Sequence, residues 1–356
     1  MTVTADYVLQ GVNPQQIATA PFDVQVVETA DDDGVPFTAA QVAQMESGGS
    51  QVLGYFSLGE AENFRDYFSS LPSSVVGPQD PDWPGDYQVA FWTPQWKAVA
   101  EQAIDQMVSA GYNGIYFDVV DEYQQAWAQS HDPNAAQDMV NLVESLKQYA
   151  TAKDPNFQVW VNSSGAEDLL SHPDYVNAIN GTFEEELFYK DNGSKQSAAD
   201  VQYNLQYLDK ATAAGKPVVA IEYVSGATKI ADVHTQAAQD GIGSYVGHLD
   251  LDGIDTDGVL PGQTVQPVGT STPPGTGTGT GTGSGAGSGT GSGSGSTGTG
   301  SGSGSGTGTG SGTSTGGSPP DPTGGHHHTP GQSTGGSDGG FQHTHDSHQH
   351  YGHLWG

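Results

Sequence analysis

The sequence predicts an α/β fold: a (β/α)8 TIM barrel over residues 1–262, followed by a disordered Gly/Thr/Ser-rich, His-rich tail. Three observations predict it. Eight short apolar runs alternate with amphipathic helical stretches, the pattern of a parallel sheet with crossover helices. Glycine follows several of the helical stretches, where a left-handed cap suits it. The apolar runs repeatedly end in a polar or acidic residue, and a barrel collects such ends at one mouth. An open doubly wound sheet is the alternative that the same alternation allows.

In chain order, the strand-like runs are Tyr7–Gln10, Asp23–Glu28, Gln51–Ser57, Gly114–Asp118, Phe157–Asn162, Ile179–Glu185, Pro217–Tyr223 and Ile242–Gly247. Helices are expected near Thr38–Ser47, Ala61–Ser69, Pro94–Ala110, Ala135–Ala152, Gly165–Ser171, Ser197–Ala214 and Ala227–Asp240, with Gly111, Gly215 and Gly241 as stops. The strand ends then read Gln10, Glu28, Ser57, Asp118, Asn162, Glu185 and Glu222. Strand alternation puts Gly114, Tyr116 and Asp118 on one face, and Val218, Ala220 and Glu222 on one face of theirs. From about residue 263 to 340 the chain is mostly Gly, Thr and Ser, which cannot bury enough apolar surface to offset its ordering entropy. Residues 341–356 form a His-rich end.

The net charge is −32, and all nine Lys and Arg precede Ile230. Only Asp321, Asp338 and Asp346 of the acidic residues lie in the tail, so the negative charge sits on the predicted barrel. Such a surface excludes nucleic acid and anionic lipid as partners and attracts cations, a polycationic sugar polymer among them. There is no cysteine, hence no thiol chemistry, and no apolar run of membrane-spanning length. The N-terminal residues lack the features of a secretory signal peptide. A polysaccharide-degrading enzyme meets its substrate at the cell surface or outside the cell, so export by another route is expected; an unexported chain would be cytoplasmic.

Carboxylates gathered at one rim are what glycoside hydrolysis needs. One carboxyl protonates the leaving oxygen, and the other attacks the anomeric carbon or activates water. Asp118 and Glu185 are the candidate catalytic pair, with Glu222 the rival for the second place; an acidic strand end that merely caps a helix is the structural alternative. Arg65 is the only arginine in the chain. A sequence using lysine at every other basic position points to a bidentate carboxylate contact here, with Glu60 or Glu62 as partner. An ordinary i,i+3 helix pair between Glu62 and Arg65 is the alternative. The aromatic, proline-rich stretch Pro81–Trp92, containing Trp83, reads either as a wall for sugar rings or as a lid folded into the mouth.

At these residues the chain resembles glycoside hydrolase family 114, the endo-α-1,4-polygalactosaminidase-like barrels, from about Tyr7 to Asp252. The resemblance rests on Tyr-x-Leu-Gln at Tyr7–Gln10, the Tyr55–Arg65 stretch ending Ser-Leu-Gly-Glu-Ala-Glu-x-x-Arg, and Trp-Pro-Gly at Trp83–Gly85. It continues through Gly-Tyr-Asn-Gly-Ile-Tyr-Phe-Asp-Val-Val-Asp at Gly111–Asp121, Glu-Glu-Leu-Phe-Tyr at Glu185–Tyr189 and Glu-Tyr-Val at Glu222–Val224. It implies a retaining endo-glycosidase acting on α-1,4-linked galactosamine polymers without a cofactor. The acidic pair would be Asp118 and Glu185, with Glu184 and Glu186 blurring the second position. Gln10, Glu28, Tyr55, Ser57, Glu60, Arg65, Trp83, Tyr116, Asp121, Asn162, Glu222 and Tyr223 are the expected substrate-binding residues. Strand two ends in Glu28 where relatives often carry aspartate, so that side of the pocket is expected to be reshaped.

Eight of the twelve histidines, His326, His327, His328, His343, His345, His348, His350 and His353, lie in the tail. Closely spaced neutral imidazoles bind divalent transition metals such as Zn, Ni or Cu, here without fixed geometry. The run Asp250–Gly258 has alternating aspartates like a calcium loop but lacks the distal glutamate, and a structural loop is the favoured reading. The chain is expected to be a monomer. Two rivals to the enzyme reading are a non-catalytic carbohydrate-binding barrel and a surface protein whose metal-binding tail carries the function.

Overall fold

The computed structural model describes residues 2–254. The predicted 263–340 linker, the 341–356 tail and its histidines therefore lie outside the described residues, as does the end of the aspartate run at 250–258. Eight parallel strands form a nearly closed barrel in sequence order: β1 Ala5–Val8, β2 Val24–Val27, β3 Gln51–Ser57, β4 Gly114–Asp118, β5 Gln158–Asn162, β6 Gly181–Glu185, β7 Val218–Glu222 and β8 Gly243–Val246. The open-sheet alternative is thereby set aside. After β8 the chain returns to the start: the amides of Leu9 and Gln10 both donate to the Leu251 carbonyl, at 2.9 and 3.0 Å.

Alternation along each strand separates two apolar layers. Ala5, Tyr7, Val26, Leu53, Tyr116, Trp160, Phe183, Ile221 and Tyr245 fill the barrel interior. Its rings interlock, with Tyr116 and Phe183 at 5.1 Å and Trp160 and Phe183 at 5.8 Å between centroids, geometry that adds to the burial of the rings themselves. Gly181 makes room for this filling, since a Cβ there would stand 2.5 Å from the Trp160 ring. The outward residues, among them Val27, Val52, Ile115, Phe117, Val161 and Ala220, pack beneath the helices.

The helices are α1 Pro14–Thr19, α2 Ala39–Glu46, α3 Pro94–Ala110, α4 Ala126–His131, α5 Ala135–Lys153, α6 Pro173–Ala178, α7 Ala198–Ala213 and α8 Ala227–Asp240. Their ends follow local chemistry. Thr38 and Gln41 make a capping box at α2, and Thr93 caps α3 with proline in the first turn. Gly111 ends α3 at φ 97°, a conformation that costs glycine nothing. The short helices α1, α4 and α6 carry too few turns to show a periodic pattern in sequence, while the predicted Gly165–Ser171 helix is a 3-10 turn at Glu167–Ser171.

Two sequence expectations require correction. The first strand is Ala5–Val8, so Gln10 lies beyond its end, and Tyr7 is the inward residue. No helix spans 61–69. Instead Glu60–Glu62, Val76–Gln79 and Asp86–Val89 form a three-stranded antiparallel sheet, the Asp86–Val89 strand in the middle. Local propensity favours a helix there, but pairing of Glu62 with Asp86 and Glu60 with Gln88 overrides it, and all of 60–62 is buried. Gly59 allows this turn out of the barrel: any side chain there would run into the Val119 carbonyl and the Glu122 side chain.

Candidate active site

The C-terminal ends of the strands bring Asp118, Asn162 and Glu185 together. All three occupy inward positions of β4, β5 and β6, in register with the interior residues Tyr116, Trp160 and Phe183 two places earlier. One amide joins them. Asn162 Nδ2 donates to Asp118 Oδ1 at 2.8 Å and to Glu185 Oε1 at 2.7 Å. Those two oxygens therefore stand no farther apart than the two bonds laid end to end, about 5.5 Å. The amide's orientation is fixed from its other end, where Oδ1 accepts the Ser164 amide at 3.0 Å.

Asp118 is almost wholly buried yet well supplied with donors. Tyr7 and Tyr55 hydroxyls donate to Oδ2 at 3.2 and 3.1 Å, and the Val119 amide donates to Oδ1 at 2.9 Å. Burial, then the Asp118 charge, pushes both phenols well above their ordinary range, so they stay protonated as donors. Glu185 accepts from the Tyr223 hydroxyl, and its own amide donates to Ser164 Oγ at 2.6 Å. Tyr223 is likewise raised, by burial and then by Glu185.

The backbone is strained at these points. Among the described residues the non-glycine positions with positive φ are Val119 at 55°, Glu186 at 55° and Leu251 at 50°. One directly follows Asp118, one directly follows Glu185, and the third lines a cavity that Val119 also lines. A left-handed β-branched valine costs on the order of 1–3 kcal/mol and persists only where its surroundings enforce it, characteristically at functional sites. Here the Leu58 amide holds the Asp118 carbonyl at 2.8 Å and the Glu186 amide is tied to Ile221 at 2.9 Å.

A cavity of about 320 Å³ opens on the Asp118 side, where Val119 and the Asp118 partner Tyr55 line it with Gln10, Ser57, Glu60, Phe64 and Trp83; Asp118 and Glu185 themselves are not in its lining. Its lining includes acids but neither lysine nor arginine. Ser57 lines the cavity, and its Oγ is buried with no hydrogen-bond partner among the described residues. Glu60, buried in the excursion sheet, is pushed up to about 10 by burial and then by Asp80 and Asp86. Glu122 behind it is also pushed up to about 10, by burial and then by Glu60. Asp121 sits beside these two and adds to the raising of both. Trp83 is buried in the cavity wall, while Phe64 is 44 % exposed there.

Arg65 makes two bidentate contacts. Nε and Nη2 donate to the two oxygens of Glu62, one of the expected partners, at 2.7 and 3.2 Å, and Nη1 and Nη2 donate to the two Glu28 oxygens at 2.8 Å each; Glu60, the other expected partner, is not engaged. Burial acts to raise Glu28, but Arg65 outweighs it and holds the carboxyl below its ordinary value. Arg65 thus clamps the excursion sheet to the end of β2.

Two acids turn away from the mouth. Glu222 lies on the outer face with Val218 and Ala220, where its oxygens accept the Phe188 and Tyr189 amides at 2.7 and 3.1 Å. It fastens the loop after β6. Glu184 also faces outward, toward Asn204 of α7 at 3.1 Å. The strand alternation that separates Glu184 from Glu185 was readable in sequence; which face looks inward was not. Sequence reasoning also passed over Tyr7, Ser164, Phe64 and Leu251. Tyr7 carries a signal, since it alternates with Ala5 and Leu9; the other three come to the site through loops.

Among the described residues, no cluster of three or more His, Asp or Glu is arranged to hold a metal ion, and no helix is long and apolar enough to cross a membrane. Comparison with known proteins now adds kinship. An uncharacterised protein of Deinococcus radiodurans is 32 % identical over 243 residues, 66 % of this chain and 76 % of that one. One from Methanocaldococcus jannaschii is 27 % identical over 270 residues, 70 % and 77 % of the two chains. The fold is similar to Aspergillus fumigatus Ega3, crystallised with galactosamine (TM-score 0.58, 17 % identity, 71 % of this chain and 93 % of that). It is equally similar to the glycoside hydrolase domain of PelA from Pseudomonas aeruginosa (TM-score 0.58, 18 % identity, 71 % and 98 %). The family model for glycoside-hydrolase family GH114 matches residues 1–260, and the chain belongs to that family.

Proposed function

We propose that this chain is a retaining endo-glycosidase that cleaves an α-1,4-linked, galactosamine-containing polysaccharide, with Asp118 as nucleophile and Glu185 as acid and then base. The observation that carries the reading is the Asn162 amide shared by the two carboxylates. The two joined oxygens stand about 5.5 Å apart or less, the spacing of a pair working by double displacement; inverting pairs stand about 6.5–9.5 Å apart.

The Tyr7, Tyr55 and Val119 donors fix the orientation of Asp118. As an Asp118 oxygen bonds to the anomeric carbon, the bond from that carbon to the glycosidic oxygen breaks. The leaving oxygen takes the Glu185 proton. Glu185, now a carboxylate, takes a proton from water, whose oxygen displaces Asp118 from the sugar. Each displacement inverts the anomeric carbon, so the pair of them retains it.

The acidic cavity supports an aminosugar substrate. Glu62, Asp86 and Asp250 line it as acids, and Phe64 offers an apolar face to a ring. The fold neighbour crystallised with galactosamine is consistent with this choice. A polymeric substrate places the action outside the cell or at its surface.

Incubation with acetylated and deacetylated aminosugar polymers, read by new reducing ends and by proton NMR of the first product, tests the reading. Polygalactosamine should yield fragments initially in the α configuration. First products in the β configuration contradict the retaining pair, and saturable binding without new ends contradicts catalysis altogether.

A further inference from the structure

Behind Glu185, on the other face of β6, lies a second carboxyl pair that the reaction does not use. Glu184 is fully buried; Asn204 of α7 donates to its Oε1 at 3.1 Å, while Oε2 is buried without a donor. Its carboxyl lies within hydrogen-bonding reach of that of Glu167, which is also buried. Two carboxylates offer only acceptors, so this contact exists only while one of them carries a proton. Burial, then Glu167, indeed pushes Glu184 well above the ordinary carboxyl range.

The pair sits where it can steer the cleft. Glu167 opens the 3-10 turn after β5, and its Oε1 accepts the Gly165 amide at 3.3 Å. The intervening loop carries Ser164, whose amide orients Asn162 and whose hydroxyl accepts the Glu185 amide. The loop is thus fastened to β6 twice, once at Glu185 and once at Glu184.

We propose that Glu184 and Glu167 form a proton-sharing clamp that positions Asn162 and Glu185, making both of them positioning residues for the cleft. The clamp rests on the reading of Glu185 as the acid of the cleft. Around it, Glu185 shares its strand, Asp168 and Tyr203 are the further titratable groups near Glu167, Asn204 faces it from α7, and the paired residue of β7 is the apolar Ala220. Loss of the shared proton leaves two buried negative charges in contact, which drives the Ser163–Glu167 loop off β6 and takes the Asn162 amide with it.

The test compares the full chain with Glu184→Gln and Glu167→Gln from about pH 5 up to the alkaline limit of folding. The glutamine amide donates to its neighbour without needing a proton. Wild-type melting temperature should therefore fall at least about 3 °C more than that of either variant over this range. Protection of the Ser164 and Glu185 amides against hydrogen exchange, corrected for intrinsic rates, should drop with pH in the wild type and hold in Glu184→Gln. The alkaline limb of kcat should move up by about one pH unit in Glu184→Gln. Parallel melting curves, exchange protection that persists in the wild type, or an unmoved alkaline limb would each overturn the clamp. A wild type that cuts no polymer would instead remove the proposed reaction, and melting and exchange would still decide the clamp.

Discussion

Asn162 holds the two candidate catalytic carboxylates with a single nitrogen, and it cannot be replaced by anything shorter. Asn162→Ala should reduce kcat about 10²-fold, the usual scale for a preorganised donor, with KM changed much less and an unchanged circular dichroism spectrum. A variant that keeps wild-type kcat would show that the bridge is ornamental. At this scale the sequence was informative where strands were regular. Period-two alternation places Asp118 with Tyr116 and separates Glu185 from Glu184, because a strand has only two faces. It could not say that Glu222 points outward, since that depends on which face of β7 meets the interior aromatics. Nor could it find Leu251, which reaches the cavity through a loop.

The excursion sheet between β3 and α3 is the element that shapes the cavity, and it was the one least legible in sequence. Its Glu60–Glu62 strand pairs with residues more than twenty positions away, and a local pattern cannot report such pairing. It also holds Glu60 in a dry, acidic setting. A carboxyl raised from 4.5 to about 10 binds its proton more tightly folded than unfolded. Its contribution to stability is therefore fully present below about pH 4.5 and is lost progressively as pH climbs toward 10. Glu60→Gln removes that dependence, so its stability relative to wild type should rise steadily between pH 5 and 9 in urea denaturation. Parallel curves for the two proteins would mean that Glu60 is ionised in the folded state.

For the whole molecule, eight strands in sequence order form a nearly closed barrel around an aromatic interior, whose buried residues among those described run from Ala5 to Leu251 with Ile254 packed against them. Alternating apolar runs and helix stops made this architecture readable, because barrel strands and crossover helices are local in sequence even when their closure is not. The family match likewise ends at residue 260. A chain ending at Gly262 should keep the melting temperature and the polymer-cleaving rate of the full chain within about twofold, whereas loss of either would give the tail a part in the fold or the reaction.

The whole account turns on Asp118 and Glu185 acting on one bond. Measuring reducing-end release from polygalactosamine by Asp118→Asn and Glu185→Gln, both checked for wild-type melting, tests it most directly. Each should fall by about 10³-fold or more; turnover within tenfold of wild type in either folded variant would contradict it.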